Sequence, residues 1–428
     1  MEKFVIEGGR MLSGSITPGG NKNEALPALA ACLLTDETVV LNNVPEIKDV
    51  QVMLEVIENL GASVERLSAN RYAIRADNLQ DIPRPNRELC QRIRASILFA
   101  GPLLGRKMAV DLSPPGGDVI GRRRLDTHFS GFVDLGAIVE VRDIYRLRAR
   151  TGLRGTDIFL DEQSVTATEN LIMAACLAQG QTTLLNAACE PHVQNLCHLL
   201  NAMGAQIHGI GTNTVVINGV ERLHGAEHNI GPDYLEIGSY AALAAVTGGE
   251  LTINGVRESD LRMILKVFSR IGIMTDVHGE TLTVPGRQEL KVKRDLHGVI
   301  PKIDDAPWPA FPTDLMSIAI TAATQSNGPV LFFEKMFEGR MFFVDSLISM
   351  GASIILCDPH RVVVAGPSQL YGATLESPDV RAGMALLIAS LCARGRSTIY
   401  NIRQIDRGYE KIEQKLQSLG AAIERVGV

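Results

Sequence analysis

At 428 residues the chain exceeds what one hydrophobic core usually supports, so two domains are expected. Apolar residues make up 46% and charged residues 21%, and no apolar run approaches the roughly 18–20 residues that span a bilayer. A net charge of −6 argues against nonspecific nucleic-acid wrapping and confines any anion site to a local cluster. With no signal-peptide core in MEKFVIEGG, the expectation is a soluble, cytoplasmic protein with neither nucleic acid nor membrane as partner.

Taken in chain order, the predicted elements form six copies of one unit. A strand-like lead, Lys3 to Gly14, passes a bend at Pro18-Gly19-Gly20 into an apolar helix pattern from Lys22. A strand at 38–41, a loop and a more polar second helix then lead to the closure Leu60-Gly61-Ala62. Apolar helix patterns recur from Arg94, Thr168, Glu236, Asp314 and Arg381, with strands such as 182–185, 251–253 and 398–400. Closures recur at Leu135-Gly136-Ala137, Met203-Gly204-Ala205, Ile271-Gly272-Ile273, Met350-Gly351-Ala352 and Leu419-Gly420-Ala421, about 68–79 residues apart. A glycine just past a helix end takes the left-handed cap position, so each closure marks a helix-to-strand passage. The first helices are apolar nearly all round and should lie at the buried centre of their units.

These units predict an α/β protein of two halves with three units each. The second junction is Asn229-Ile230-Gly231-Pro232, which sets the domains at 22–229 and at 1–21 plus 230–428. The first carries a mobile loop, 114–128, reading PPGGDVIGRRRLDTH; its prolines and glycines impose bends, and Arg122, Arg123 and Arg124 repel one another unless anions lie near. Two similar lobes imply a ligand cleft.

Charges at the helix mouths say what that cleft holds. Glu236 and Asp314 read as caps or dipole complements. Lys22, Arg94 and Arg381 oppose the dipole by up to about 1 kcal/mol each, a sign that a bound anion reverses. The seven cysteines (Cys32, Cys90, Cys176, Cys189, Cys197, Cys357, Cys392) are odd in number and mostly in apolar runs, so they read as reduced, buried thiols. Cys189, His192, Cys197 and His198 match no zinc spacing, and no metal is expected.

The chain resembles the UDP-N-acetylglucosamine enolpyruvyl (1-carboxyvinyl) transferases of the EPSP synthase superfamily. The resemblance is carried by GGNKNEALP at 19–27, RASI at 94–97, PPGGDVIGRR at 114–123, SVTATEN at 164–170, PDYLEIGSY at 232–240, FPTD at 311–314, FEGR at 337–340 and IDRGYEKIE at 405–413. It implies two inside-out α/β barrel-like domains of three repeats each. It also implies transfer of the enolpyruvyl group of phosphoenolpyruvate to the sugar 3-hydroxyl by addition–elimination, the first committed step of peptidoglycan synthesis, with no cofactor. Lys22, Asn23, Arg123, Arg340, Arg381 and Arg407 would bind phosphoenolpyruvate. Asn23, Arg94, Arg123, Arg124, Leu125, Asp126, Thr127, Glu162, Gln163, Ser164, Val165, Asp314, Met336 and Phe337 would line the nucleotide-sugar path. Asp118, Asp314, Lys22 and Arg407 would be catalytic, with Asp314 as base.

Three positions depart from the family pattern. Asp118 stands where members most often have cysteine, although some carry aspartate. Glu162 replaces a common lysine, and Arg124 a common proline. As general acid, Asp118 must keep a proton that a free aspartate, with a pKa near 3.9, gives up; desolvation by lid closure would supply the shift. The departure at 118 also implies resistance to fosfomycin, an epoxide that alkylates the cysteine thiolate. The alternatives are a transferase for another acceptor, a free nucleotide or shikimate 3-phosphate, and a non-catalytic UDP-sugar-binding paralogue. Lys22-Asn23 and the 114–128 loop favour the UDP-sugar over the shikimate acceptor, and Asp314, Lys22 and Arg407 together favour an enzyme. The sequence carries no sign of oligomeric state.

Overall fold

A computed structural model describes residues 2–118 and 120–427. By contacts the chain separates into two compact units, Met1–Gly19 with Val119–Arg122 and Pro232–Val428, and Gly20–Asp118 with Arg123–Gly231. Each has its own apolar core. Among the described residues each unit contains three small sheets, six in all, five of four strands and one of three. Most mix parallel and antiparallel pairs. The strand Thr38–Asn42, for instance, lies antiparallel to Arg71–Arg75 and parallel to Glu227–Asn229. The strand Glu2–Glu7 runs antiparallel between Arg396–Tyr400 and Ala422–Gly427, so the chain's two ends share one sheet.

The apolar helices lie in the cores. Lys22–Ala31, Val165–Ala175, Tyr234–Thr247 and Val380–Cys392 are buried along nearly their whole length, as helices without a polar face must be. Their caps are short polar side chains ahead of the first turn: Asn21, Ser164, Asp233 and Asp379. Neither of the two acids read as caps or dipole complements makes the cap bond, though Glu236 does lie in a first turn, where an acid complements the dipole. Asp233 caps the helix that contains Glu236, whose longer side chain binds Gly19 N, Tyr240 and Lys415. Asp314 sits in a 3₁₀ turn, Thr313–Leu315, ahead of Met316–Ala323 and makes no cap bond. Arg94 likewise opens a 3₁₀ run, Arg94–Phe99, before Ala100–Lys107. Pro102 explains this start, because it lacks the N–H that would bond Leu98.

All six closure glycines are left-handed, with φ from 90° to 106°. The two chain passages between the units are pinned in matching ways. In one unit Asn21 N donates to Gly231 O (2.8 Å) and Gly231 N to Glu24 Oε2 (3.1 Å). In the other, Asp233 N donates to Gly19 O (3.0 Å) and Gly19 N to Glu236 Oε2 (2.6 Å). The thiols are not uniformly buried: Cys357 is exposed on a strand edge and Cys392 half-buried, because only an apolar environment on every side hides a thiol. No helix among the described residues is long and apolar enough to cross a membrane.

Candidate active site

In the unit built around residues 20–231, Lys22 is the first residue of its helix and is nearly buried. Its Nζ lies 2.7 Å from Asp49 Oδ2 on the helix Lys48–Asn59. The cation that opposes the helix dipole thus has an acid beside it, which the charge pattern at the helix mouths did not foresee. Asn23 follows, and Pro27 leaves its carbonyl without an intrahelical donor. Arg94 reaches the loop and donates to the carbonyls of Arg123 (2.8 Å) and Arg124 (3.2 Å). Burial, and next the charge of Arg123, bring its pKa down to about 10. The loop can approach only because it is glycine there: a Cβ on Gly117 (φ +105°) would stand 2.8 Å from Arg94 Cβ.

Beyond the loop, Arg124 pairs with Asp126 (3.0 Å) and Asp161 (3.3 Å), and Thr127 donates to Asp161 (2.7 Å). Leu125 precedes the helix Asp126–Asp134. The turn Glu162–Val165 is a separate station. Ser164 caps its helix through Ala167 N, and Gln163 donates to Ala187 O (3.0 Å). Glu162 is exposed, and its charge bears on Arg94. Asp118 is half-buried beside Gly117.

One residue here carried no signal in the sequence. His128 is buried, with Nδ1 3.1 Å from Asn170 Nδ2 and Nε2 3.1 Å from Thr166 Oγ1. Asn170 is fixed with its oxygen on Gly101 N and its amide donating to Ile97 O, so it presents a donor to Nδ1. Nδ1 must accept, and the neutral Nε2–H tautomer follows. Burial, then the charge of Arg94, lower the His128 pKa to about 3.

In the unit containing residues 232–428, three expected site residues converge. Asp314 Oδ1 lies 2.8 Å from Arg340, and Oδ2 3.2 Å from Arg381. Burial raises the carboxyl's pKa, but the two guanidiniums outweigh it and hold Asp314 well below the usual carboxylate range. Arg381 also stacks over Tyr409, 5.5 Å from the ring centroid, and Arg340 over Phe337, at 5.4 Å. Arg340 Nε is a buried donor with no partner among the described residues. Arg407 ends the 3₁₀ turn Ile402–Arg407 and donates to Gln404 (2.9 Å). Its neighbour Asp406 is gripped at 2.8 and 3.1 Å by Arg425. The Met336 and Phe337 N–H groups both donate to Glu334 Oε1 at 3.0 Å.

Each unit therefore carries cations with some compensation of their own and a carboxylate (Asp118 or Asp314). Such groups bind oxyanions and move protons.

Residues 6–416 match the family described as EPSP synthase (3-phosphoshikimate 1-carboxyvinyltransferase). The chain is 55% identical to the UDP-N-acetylglucosamine 1-carboxyvinyltransferase of Treponema denticola, with 99% of each chain covered. It is also 55% identical to that of Bradyrhizobium diazoefficiens, with 99% of this chain and 98% of the relative covered. Among solved structures, the enolpyruvyl transferase NikO from Streptomyces tendae matches with a TM-score of 0.88 at 23% identity, covering 100% and 99% of the two chains. EPSP synthase from Acinetobacter baumannii matches at 0.76 and 17%, covering both chains fully. At those identities the structures speak for the fold alone: an α/β protein of six small sheets with the enolpyruvyl transferase architecture. The family match over most of the chain and the end-to-end identity with curated relatives agree, and the chain belongs to the EPSP synthase family, on its UDP-N-acetylglucosamine 1-carboxyvinyltransferase branch.

Proposed function

We propose that the chain transfers the enolpyruvyl group of phosphoenolpyruvate to the 3-hydroxyl of UDP-N-acetylglucosamine and releases phosphate. The observation that carries this reading is the end-to-end identity with transferases of that name. The pairing of Asp314 with Arg340 and Arg381 supports it, since one ionised carboxylate among guanidiniums suits both proton acceptance and anion binding. In this reading each unit is an inside-out α/β barrel-like domain of three repeats.

The steps divide among the named residues. Lys22, Arg123 and Arg407 neutralise the phosphate and carboxylate, with Arg340 and Arg381 nearby; a substrate oxygen would occupy the open Arg340 Nε. The sugar oxygen attacks C2 of phosphoenolpyruvate as Asp314 takes its proton, and Asp118 delivers a proton to the methylene carbon. Loss of a proton from that carbon then re-forms the double bond as the C–O bond to phosphate breaks. Asn23 and Arg94 border both substrates. The segments Arg123–Thr127 and Glu162–Val165, with Met336 and Phe337, line the nucleotide sugar.

Phosphate release from phosphoenolpyruvate tests the reading. It should require UDP-N-acetylglucosamine; release supported instead by shikimate 3-phosphate or a free nucleotide would reassign the acceptor, and none at all would favour a binding protein. Asp118 gives the second test. The unmodified enzyme should resist time-dependent inactivation by fosfomycin, because a carboxylate is a far poorer nucleophile than a thiolate. Asp118→Cys should become sensitive, and its alkaline activity limit should move up toward the thiol's range near pH 8.5. Inactivation of the unmodified enzyme would sink the assignment.

A further inference from the structure

A second carboxylate pair lies in the unit of residues 232–428, and the transfer steps make no use of it. Asp305 follows the strand Lys302–Asp304, and Glu334 follows Gly328–Phe333. These strands pair in parallel with Asp304 opposite Phe333, so the two acids leave neighbouring strand ends together. Both are fully buried.

Their hydrogen bonds leave one position open. Glu334 Oε1 accepts from Met336 N and Phe337 N, and Thr313 Oγ1 donates to the same carboxyl, 2.9 Å from Oε2. Asp305 Oδ1 accepts from Lys335 N at 2.6 Å. Asp305 Oδ2 is buried without a donor among the described residues. The Glu334 carboxyl lies within hydrogen-bonding reach of the Asp305 side chain. Two buried carboxylates in contact do not both ionise, and one proton between them turns repulsion into an O–H···O bond that satisfies Oδ2.

The other groups around the pair are accounted for. Arg340 bears on Glu334 but is shared with Asp314 and Asp379. The His360 ring bonds the Glu334 backbone carbonyl through Nδ1 at 2.8 Å, not its carboxyl. Lys335 and Lys302 direct their ammonium groups to Asp304. Asp358 takes up His360 N and Arg361.

We propose that Glu334 and Asp305 share one buried proton, and that this dyad is a positioning device for the Met336–Arg340 turn which sets an alkaline limit on the transfer reaction. The proposal rests on the reading that Met336, Phe337 and Arg340 serve the substrates. Burial first, then the hydrogen bond and charge of Asp305, push the Glu334 pKa up to about 8. Below that the neutral Glu334 holds two backbone N–H groups of the turn and leaves Arg340 with Asp314. Above it a second buried negative charge appears. It repels Asp305 and competes with Asp314 for Arg340.

Asp118 would also shape an alkaline limb, so the test reads the dyad directly in the free enzyme. The chain has two Met-Phe dipeptides, 336–337 and 341–342, so carbonyl-¹³C methionine with ¹⁵N phenylalanine gives two correlated amides. Met341→Leu removes one and assigns Phe337. Titrated from pH 6 to 10, the Phe337 amide should move with a midpoint near 8. Glu334→Gln should abolish the inflection, and Asp305→Asn, whose amide can donate to an ionised Glu334, should shift it down. In turnover, Glu334→Gln should keep activity within about threefold at pH 7 and shrink the loss between pH 7 and 9.5, while Glu334→Ala loses about tenfold at both. A Phe337 amide without inflection, or one whose inflection survives Glu334→Gln, overturns the shared proton. An alkaline limb unchanged in both Glu334→Gln and Asp305→Asn overturns the positioning role. Loss of the inflection in Glu334→Gln from a chain that never turns over UDP-N-acetylglucosamine supports the dyad and faults the acceptor assignment instead.

Discussion

Asp314 faces two demands that pull apart. As the proposed base it would have to bind a proton, yet Arg340 and Arg381 hold it strongly ionised. In the proposed reaction it would become a competent base only as substrate anions draw those guanidiniums away. Asp314→Asn should therefore lose 10²–10⁴ in turnover while keeping the fold and most UDP-N-acetylglucosamine binding, which calorimetry beside a phosphate-release assay would measure. Near-normal turnover would move the base elsewhere. His128 makes a different prediction. Its folded pKa lies below its unfolded value, so the stability it brings is complete above about pH 6.5 and is lost as pH falls toward 3. Between pH 6.5 and 5 that loss is about 2 kcal/mol. Urea unfolding should show the gap between the parent chain and His128→Gln changing by that amount, and a gap constant with pH would refute it. At this scale the sequence showed the chemistry of the cations but not their partners. Asp49 beside Lys22 and Asn170 beside His128 come from other segments, and no local pattern announces such pairs.

The elements were more legible, because their signals are local. A glycine that closes a helix needs a left-handed backbone wherever the chain goes next, so six closures could be read directly. The sequence pattern predicts ordinary helices starting at Arg94 and Asp314, whereas both residues lie in 3₁₀ turns ahead of the α-helix. Packing between elements sets the position of Arg407. The helix Val380–Cys392 lies against the turn Ile402–Arg407 through Gly383, where a Cβ would stand 2.2 Å from Ser377 Oγ and 2.8 Å from Ile405 Cγ1. Gly383→Ala should cost about 1–3 kcal/mol by overpacking and raise the KM for phosphoenolpyruvate by about tenfold as the turn shifts. Gly105→Ala is the control. Its Cβ would find neighbours no closer than 3.5 Å, so it should gain up to about 1 kcal/mol from helix propensity. Equal melting temperatures for the two variants would reject the packing argument.

At the scale of the whole molecule, the 114–128 loop belongs to no single unit. Residues 120–122 group with the unit of residues 232–428, whereas the flanking chain groups with the other. Gly339 N donates to Ile120 O (2.9 Å), and Arg122 N to Glu338 Oε2 (3.3 Å). Gly121 fits there only without a side chain, since a Cβ would stand 3.0 Å from Glu338 N. The sequence marked this stretch as a lid from its bends and its arginines, but the seat for Ile120 and Arg122 is built from residues more than two hundred positions away. Arg122 and Arg124 are exposed and invite trypsin, so cleavage reports how often the loop leaves its seat. Arg94 holds the carbonyls of Arg123 and Arg124 and, in the proposed reaction, also borders the nucleotide sugar. A ligand that binds only the seated loop lowers the open population by 1 + [L]/Kd, about a hundredfold at 100 Kd. Cleavage at residues 122–124 should therefore slow at least tenfold with saturating UDP-N-acetylglucosamine, in the regime where opening is fast relative to cutting. Gly121→Ala should be cut faster than the parent chain without ligand, and should need more ligand for the same protection. A cleavage rate indifferent to saturating ligand would mean that the loop and the nucleotide-sugar site are not coupled.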